Sequence, residues 1–178
     1  MSTRTLTLTA VLTAMLCILG PVTLPLGAVP LSLTTALLML MALLLGTKRA
    51  LICCLLYLLL GLLGLPVFSG FRGGVGVLLG PTGGFLLGYI PLTYCCGLVC
   101  ERTQRRSLQA LAFLLGTALL YLTGAAWYAH QAGVDFSAAL PVCVLPFIPG
   151  DALKILAVLT WGNAVKTRLQ KGFILHHS

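Results

Sequence analysis

Apolar residues follow one another in long unbroken runs along this chain, and polar positions collect mostly between the runs. Leucine dominates stretches such as 37–45 and 55–63. Runs of this kind read as helices, because membrane strands alternate apolar and polar positions over segments of about ten residues. Cutting at turn residues and charges gives six predicted helices, roughly over 6–20, 33–46, 50–64, 84–100, 108–124 and 149–165. Each sits near the lower end of the ~17–25 residues that cross a bilayer. Glycines and prolines crowd their ends, which predicts helices that stop inside the membrane zone and leave non-helical backbone to line a cavity. The expected fold is all-α: a six-helix transmembrane bundle forming one domain, 1–178, with structured external loops.

Composition turns that pattern into a location. Of the 178 residues, 59% are hydrophobic and only 8% charged, with a mean hydropathy of +1.07. A soluble domain carries about 25% charged residues, so this is read as a multi-pass protein of the cell membrane. The opening stretch has no small-x-small cleavage pattern before Gly20 and Pro21, so it is expected to be a retained first helix. Net charge is +8. Threaded through six spans, Arg4, then Lys48 and Arg49, then Arg102, Arg105 and Arg106, then Lys166, Arg168 and Lys171 all fall on one side. The opposite loops, 21–32, 65–83 and 125–142, hold the single basic residue Arg72. The positive-inside rule then predicts that both termini are cytoplasmic. No base-stacking aromatics interleave with the basic residues, so they read as partners of the anionic lipid bilayer, with no nucleic acid.

The loops on the uncharged side look built to fold back. Residues 65–84 contain seven glycines and 21–32 contain three prolines, so a lid over the bundle is expected. Chemistry is sparse beneath it. Seven cysteines lie mostly in apolar runs, and the Cys96–Cys100 pair has no companion at metal-ligand spacing, so packing is their expected role and no metal or cofactor is implied. No phosphate-binding G-x-x-x-x-G-K-[ST] loop occurs. Glu101 and Asp135 fall in predicted loops, which leaves Asp151 as the one acid inside a predicted span.

Asp151 lies in "PFIPGDALKILAVLTWG", residues 146–162. Pro149 suits a first helical turn, Asp151 is favoured by the dipole there, and Lys154 follows three residues on. Spacing alone fits a pair that neutralises itself. A charge within the bilayer, however, costs on the order of 3 kcal/mol, and this pair sits at the lid end. Phe147, Asp151, Lys154 and Val158 share one helical face, offering apolar contact, an acceptor and a cation. The expectation is a pair held open for a small, partly apolar, anionic solute. Asn163, about 18 Å further along at 1.5 Å per residue, is expected to be a polar residue of the cytoplasmic end. Ala10 and Ala14 form a small-xxx-small face, open to docking or to packing inside the bundle. Ser69 and His130 allow a serine-protease dyad to be imagined, but both fall in predicted loops and no G-x-S-x-G elbow is present.

Three segments, "GLPVFSG" (64–70), "GPTGGFLLGY" (80–89) and "PFIPGDALK" (146–154), resemble in order and spacing the signatures of the BioY family, biotin-binding S components of energy-coupling factor (ECF) transporters. "GTKRA" after the second helix and the A-x-x-x-A of the first also fit. The family usually reads V-P-[IV]-T-L-Q-T where this chain has "VPLSLTT", so Ser32 and Thr34 stand in place of Thr and Gln. The resemblance implies a biotin-uptake subunit and no enzyme. It implies that Asp151 accepts the ureido N–H groups, that Lys154 and Arg72 are the candidates for the valerate carboxylate, and that Phe68 and Tyr89 contact the apolar parts. It also implies partners: two cytoplasmic ATPases and a transmembrane coupling subunit, the latter meeting Ala10 and Ala14. An S component for another anionic vitamin is the alternative within the class.

Overall fold

The computed structural model describes residues 3–24 and 31–174. Part of the predicted first loop, 25–30, and the C-terminal 175–178 lie outside the described residues. Helix α1 (Thr3–Leu19) leads into a two-residue antiparallel pairing of β1 (Thr23–Leu24) with β2 (Leu31–Ser32), in which Thr23 faces Ser32. Helices α2 (Thr34–Leu45), α3 (Thr47–Leu62), the single turn α4 (Val75–Leu78), α5 (Gly83–Arg102), α6 (Arg106–Ala132), α7 (Phe136–Cys143) and α8 (Ile148–Ala157) follow. A π-helical turn over Val158–Gly162 joins α8 to α9 (Asn163–Ile174). The described chain is thus predominantly helical, as its apolar runs require.

Four of the six predicted helices, α1, α2, α3 and α5, match within three residues at each end. The other two run longer. Helix α6 continues through the predicted loop to Ala132, because Gly124 does not stop it: the missing side chain makes room for the ring of Phe85. The actual stop is Gly133, whose φ of +66° supplies the left-handed cap that glycine adopts without steric cost. Glu101, expected in a loop, belongs instead to the last turn of α5. Helices α5 and α6 are each long and apolar enough to cross a membrane, and α7 with 148–168, bent by 54°, makes a third candidate span. Helices α1 and α2 are apolar but shorter.

Helices α5 and α6 pack as an antiparallel hairpin, with α2 and α3 against α5 and α1 on α2 and α3. Helix α8 closes the bundle against α2 and α6. Leu38, Met39 and Leu43 of α2, Tyr57 of α3, Leu92 of α5 and Phe113 of α6 are buried in the shared core. Five of the seven free cysteines are buried with them, in keeping with a packing role.

Hydrogen bonds sort the molecule into two ends. At one, the Thr47 backbone N–H and hydroxyl donate to the two carboxylate oxygens of Glu101, each at 2.8 Å, which joins the start of α3 to the end of α5. There too Gln109 donates to the Thr103 carbonyl, Asn163 to Gln109, and Lys166 to the Cys100 carbonyl. The segments carrying Lys48, Arg49, Arg102, Arg105 and Arg106 therefore gather at that end. At the other, the Gly70 N–H donates to the Pro21 carbonyl at 3.1 Å and the Gly74 N–H to the Gly61 carbonyl at 2.7 Å, folding the glycine-rich loop onto the bundle. The candidate site lies beneath it.

Candidate solute-binding site

The first turn of α8 sets the site. Pro149 has no N–H to leave unpaired there, and the Asp151 N–H donates to the Phe147 carbonyl at 2.8 Å. This register points Asp151, Ile155 and Val158 inward; Asp151 is only 5% exposed. Lys154, on the same side, places Nζ 2.7 Å from Asp151 Oδ1 and donates to Thr35 Oγ1 at 3.2 Å. The hydroxyl of Tyr121, thirty residues earlier on α6, donates to Asp151 Oδ2 at 2.5 Å. A buried carboxylate needs this degree of satisfaction, since an uncompensated charge in a low-dielectric interior is strongly unfavourable.

These groups border a cavity that opens to the exterior. Ser32, Thr35, Tyr121, Asp151 and Lys154 supply the polar groups of its lining. Phe68, Phe85, Leu86, Tyr89 and Phe147 supply aromatic and apolar surface. Phe68 is held by local fit: Gly61 leaves room for its ring, Tyr57 meets it edge-on with centroids 5.6 Å apart, and the Tyr57 hydroxyl donates to the Val67 carbonyl at 3.0 Å. Tyr89 enters from α5, and Ser69, Val77 of α4 and Thr82 complete the cover. Such a space suits a small molecule with an apolar body and a few polar groups.

Four of the five predicted contact residues, Asp151, Lys154, Phe68 and Tyr89, thus line one cavity. Arg72 does not. It is exposed, with its Nε donating to the Ser69 carbonyl at 3.3 Å, on the turn where Phe68 and Arg72 pair through their backbones. The expectation that the acid and the lysine are held apart also needs correcting: they form an ion pair. One helical turn brings the ammonium within bonding distance of the carboxylate, and no other described carboxylate lines the cavity. The pair nonetheless faces the cavity and not the lipid side. Two of the three ammonium donors are accounted for by Asp151 and Thr35.

Other predicted positions separate cleanly. Ala10 and Ala14 are exposed on α1, while Thr9 and Thr13 turn inward, so these alanines do not pack inside the bundle. Asn163 donates to Gln109 and to the Leu159 carbonyl at the end away from the cavity. Ser69 borders the cavity, but His130, expected in a loop, lies exposed on the last turn of α6, and no described hydrogen bond joins them. Ser32 lines the cavity; Thr34 is fully buried beside it, its N–H donating to Ser32 Oγ at 3.4 Å. Tyr121 and Thr35 were not singled out by sequence. The one available signal for Tyr121 was its hydroxyl inside an apolar helix, which demands an acceptor from elsewhere.

Comparison with known proteins places this geometry. The BioY family model matches residues 1–171. The chain is 34% identical to "Biotin transporter BioY2" of Lactococcus lactis subsp. cremoris, across 90% of this chain and 88% of that protein. It is 37% identical to "Biotin transporter BioY" of Rhizobium etli, across 93% and 94%. Among solved structures it superposes on the crystal structure of the S-component for biotin from an ECF-type ABC transporter, with a TM-score of 0.87 and 29% identity, covering 94% of this chain and 95% of that one. Sequence along nearly the whole length and fold agree, and the chain belongs to the BioY family.

Proposed function

We propose that this protein is the biotin-binding S component of an ECF-type transporter, capturing biotin from outside the cell; it is a transport protein and not an enzyme. The observation that carries the reading is the cavity whose lining combines the Asp151–Lys154 pair with Phe68 and Tyr89. Biotin has matching parts. Its ureido N–H groups would donate to Asp151 as charge-assisted bonds, and its carboxylate would take Lys154. The thiophane ring and methylene chain would lie on the aromatic and apolar surface. Arg72 would join the carboxylate only by turning from its exposed position.

The reading extends to topology. The chain would form one domain with six spans in the cell membrane and both termini cytoplasmic. The gathering of basic segments at the end away from the cavity supports this orientation. A transmembrane coupling subunit and two ATPases would supply the power, and the exposed Ala10–Ala14 face of α1 would meet the coupling subunit. The test is equilibrium binding of labelled biotin to the purified protein, competed with unlabelled biotin, lipoate, thiamine and riboflavin. Displacement by biotin alone is expected. Displacement by a different anionic vitamin at lower concentration would transfer the assignment to that vitamin.

A further inference from the structure

Asp151 stands in the middle of a chain of four side chains that runs across the cavity wall from α6 through α8 to α2. Tyr121 donates to Oδ2 at 2.5 Å, Lys154 donates to Oδ1 at 2.7 Å, and Lys154 also donates to Thr35 at 3.2 Å. All four line the same space. The two carboxylate oxygens therefore have different neighbours. Oδ1 is held by a flexible lysine on the same helix, one turn away, whereas Oδ2 is held by a rigid phenol on another helix. A solute anion that draws Lys154 away would leave Asp151 buried, charged and bonded to Tyr121 alone among the described residues.

We propose that Tyr121 is the positioning residue of this site: its hydroxyl fixes Oδ2 of Asp151, so that Oδ1 exchanges Lys154 for the N–H groups of the solute. Binding is then an exchange of partners, which rests on the biotin reading given above. Lys154 trades one carboxylate for another, and Asp151 trades an ammonium for ureido N–H donors. Both buried charges remain compensated at the end of the exchange, which a solute lacking either group does not achieve. Selectivity for a molecule with an anion at one end and N–H donors at the other thus resides in the closed ion pair together with Tyr121.

The test uses the full-length purified protein and Tyr121→Phe, which retains the ring and removes only the hydroxyl. Dissociation constants are measured by competition against labelled biotin for biotin, for biotin methylated on its ureido nitrogens, and for biotin methyl ester. The wild type is expected to bind both analogues more weakly than biotin. In Tyr121→Phe, biotin itself is expected to weaken about tenfold, the scale of losing one hydrogen bond to a buried charged group. The penalty for ureido methylation is expected to shrink by a similar factor, while the methyl-ester penalty stays as in the wild type. A Tyr121→Phe protein that weakens for all three ligands equally, with both penalties intact, would overturn the proposal, because a purely structural phenol acts that way. Unchanged biotin affinity would overturn it too. Failure of the wild type to bind biotin at all would instead remove the reading on which the proposal rests.

Discussion

The indole N–H of Trp127 donates to the carbonyl of Gly80 at 2.9 Å, tying the upper part of α6 to the loop that covers the cavity. Gln131, one turn later, donates to the neighbouring Leu79 carbonyl at 2.7 Å. Trp127→Phe keeps an aromatic ring against Gly84 and loses the bond to Gly80. Its cost of about 0.5–1.5 kcal/mol falls on the closed loop. Biotin is therefore expected to dissociate roughly two- to tenfold faster, with association little changed, as read by chasing labelled biotin with excess unlabelled biotin.

Glu101 serves the opposite end. Both its oxygens accept from Thr47, and they cap the start of α3 where no side chain of the N-cap residue does so. Glu101→Ala leaves these donors to water. Because Glu101 is itself exposed, the loss is expected to be roughly 1 kcal/mol. It should appear as a lowered Tm with biotin affinity at low temperature unchanged.

The exposed alanines of α1 make a different kind of prediction. Ala14→Trp adds bulk on a surface outside the packed interior, so folding and biotin binding are expected to survive. ATP-dependent biotin uptake in cells that express the coupling module is expected to be lost. Full uptake would move the docking surface elsewhere.

Orientation is tested with a C-terminal epitope tag. Protease added to intact right-side-out vesicles should leave the tag untouched, and protease added to inside-out vesicles should remove it. The reverse pattern would invert the proposed topology.

The acid and lysine of α8 were legible in the sequence because charge inside an apolar run is costly wherever the run ends up, and so marks itself. Phe68 and Tyr89 are legible only through the resemblance to BioY motifs, which carries them as contact positions. Tyr121 is not legible, since a tyrosine among leucines reads as packing until the fold brings α6 against α8. The end of α6 differs from the sequence expectation for a related reason. Gly124 is a stop signal locally, and only the Phe85 ring filling the space beside it shows that this glycine serves helix contact. The closed state of the ion pair is not legible, because spacing says that two side chains can reach each other and nothing about which other groups compete for them.

The account turns most directly on a titration of the purified protein with labelled biotin, run side by side with Asp151→Asn and Lys154→Ala. The wild type is predicted to bind biotin saturably. Each variant is predicted to keep its fold and lose more than about tenfold in affinity, given the 2–5 kcal/mol typical of removing one partner from a buried charged contact. Wild-type affinity in both variants would contradict the account.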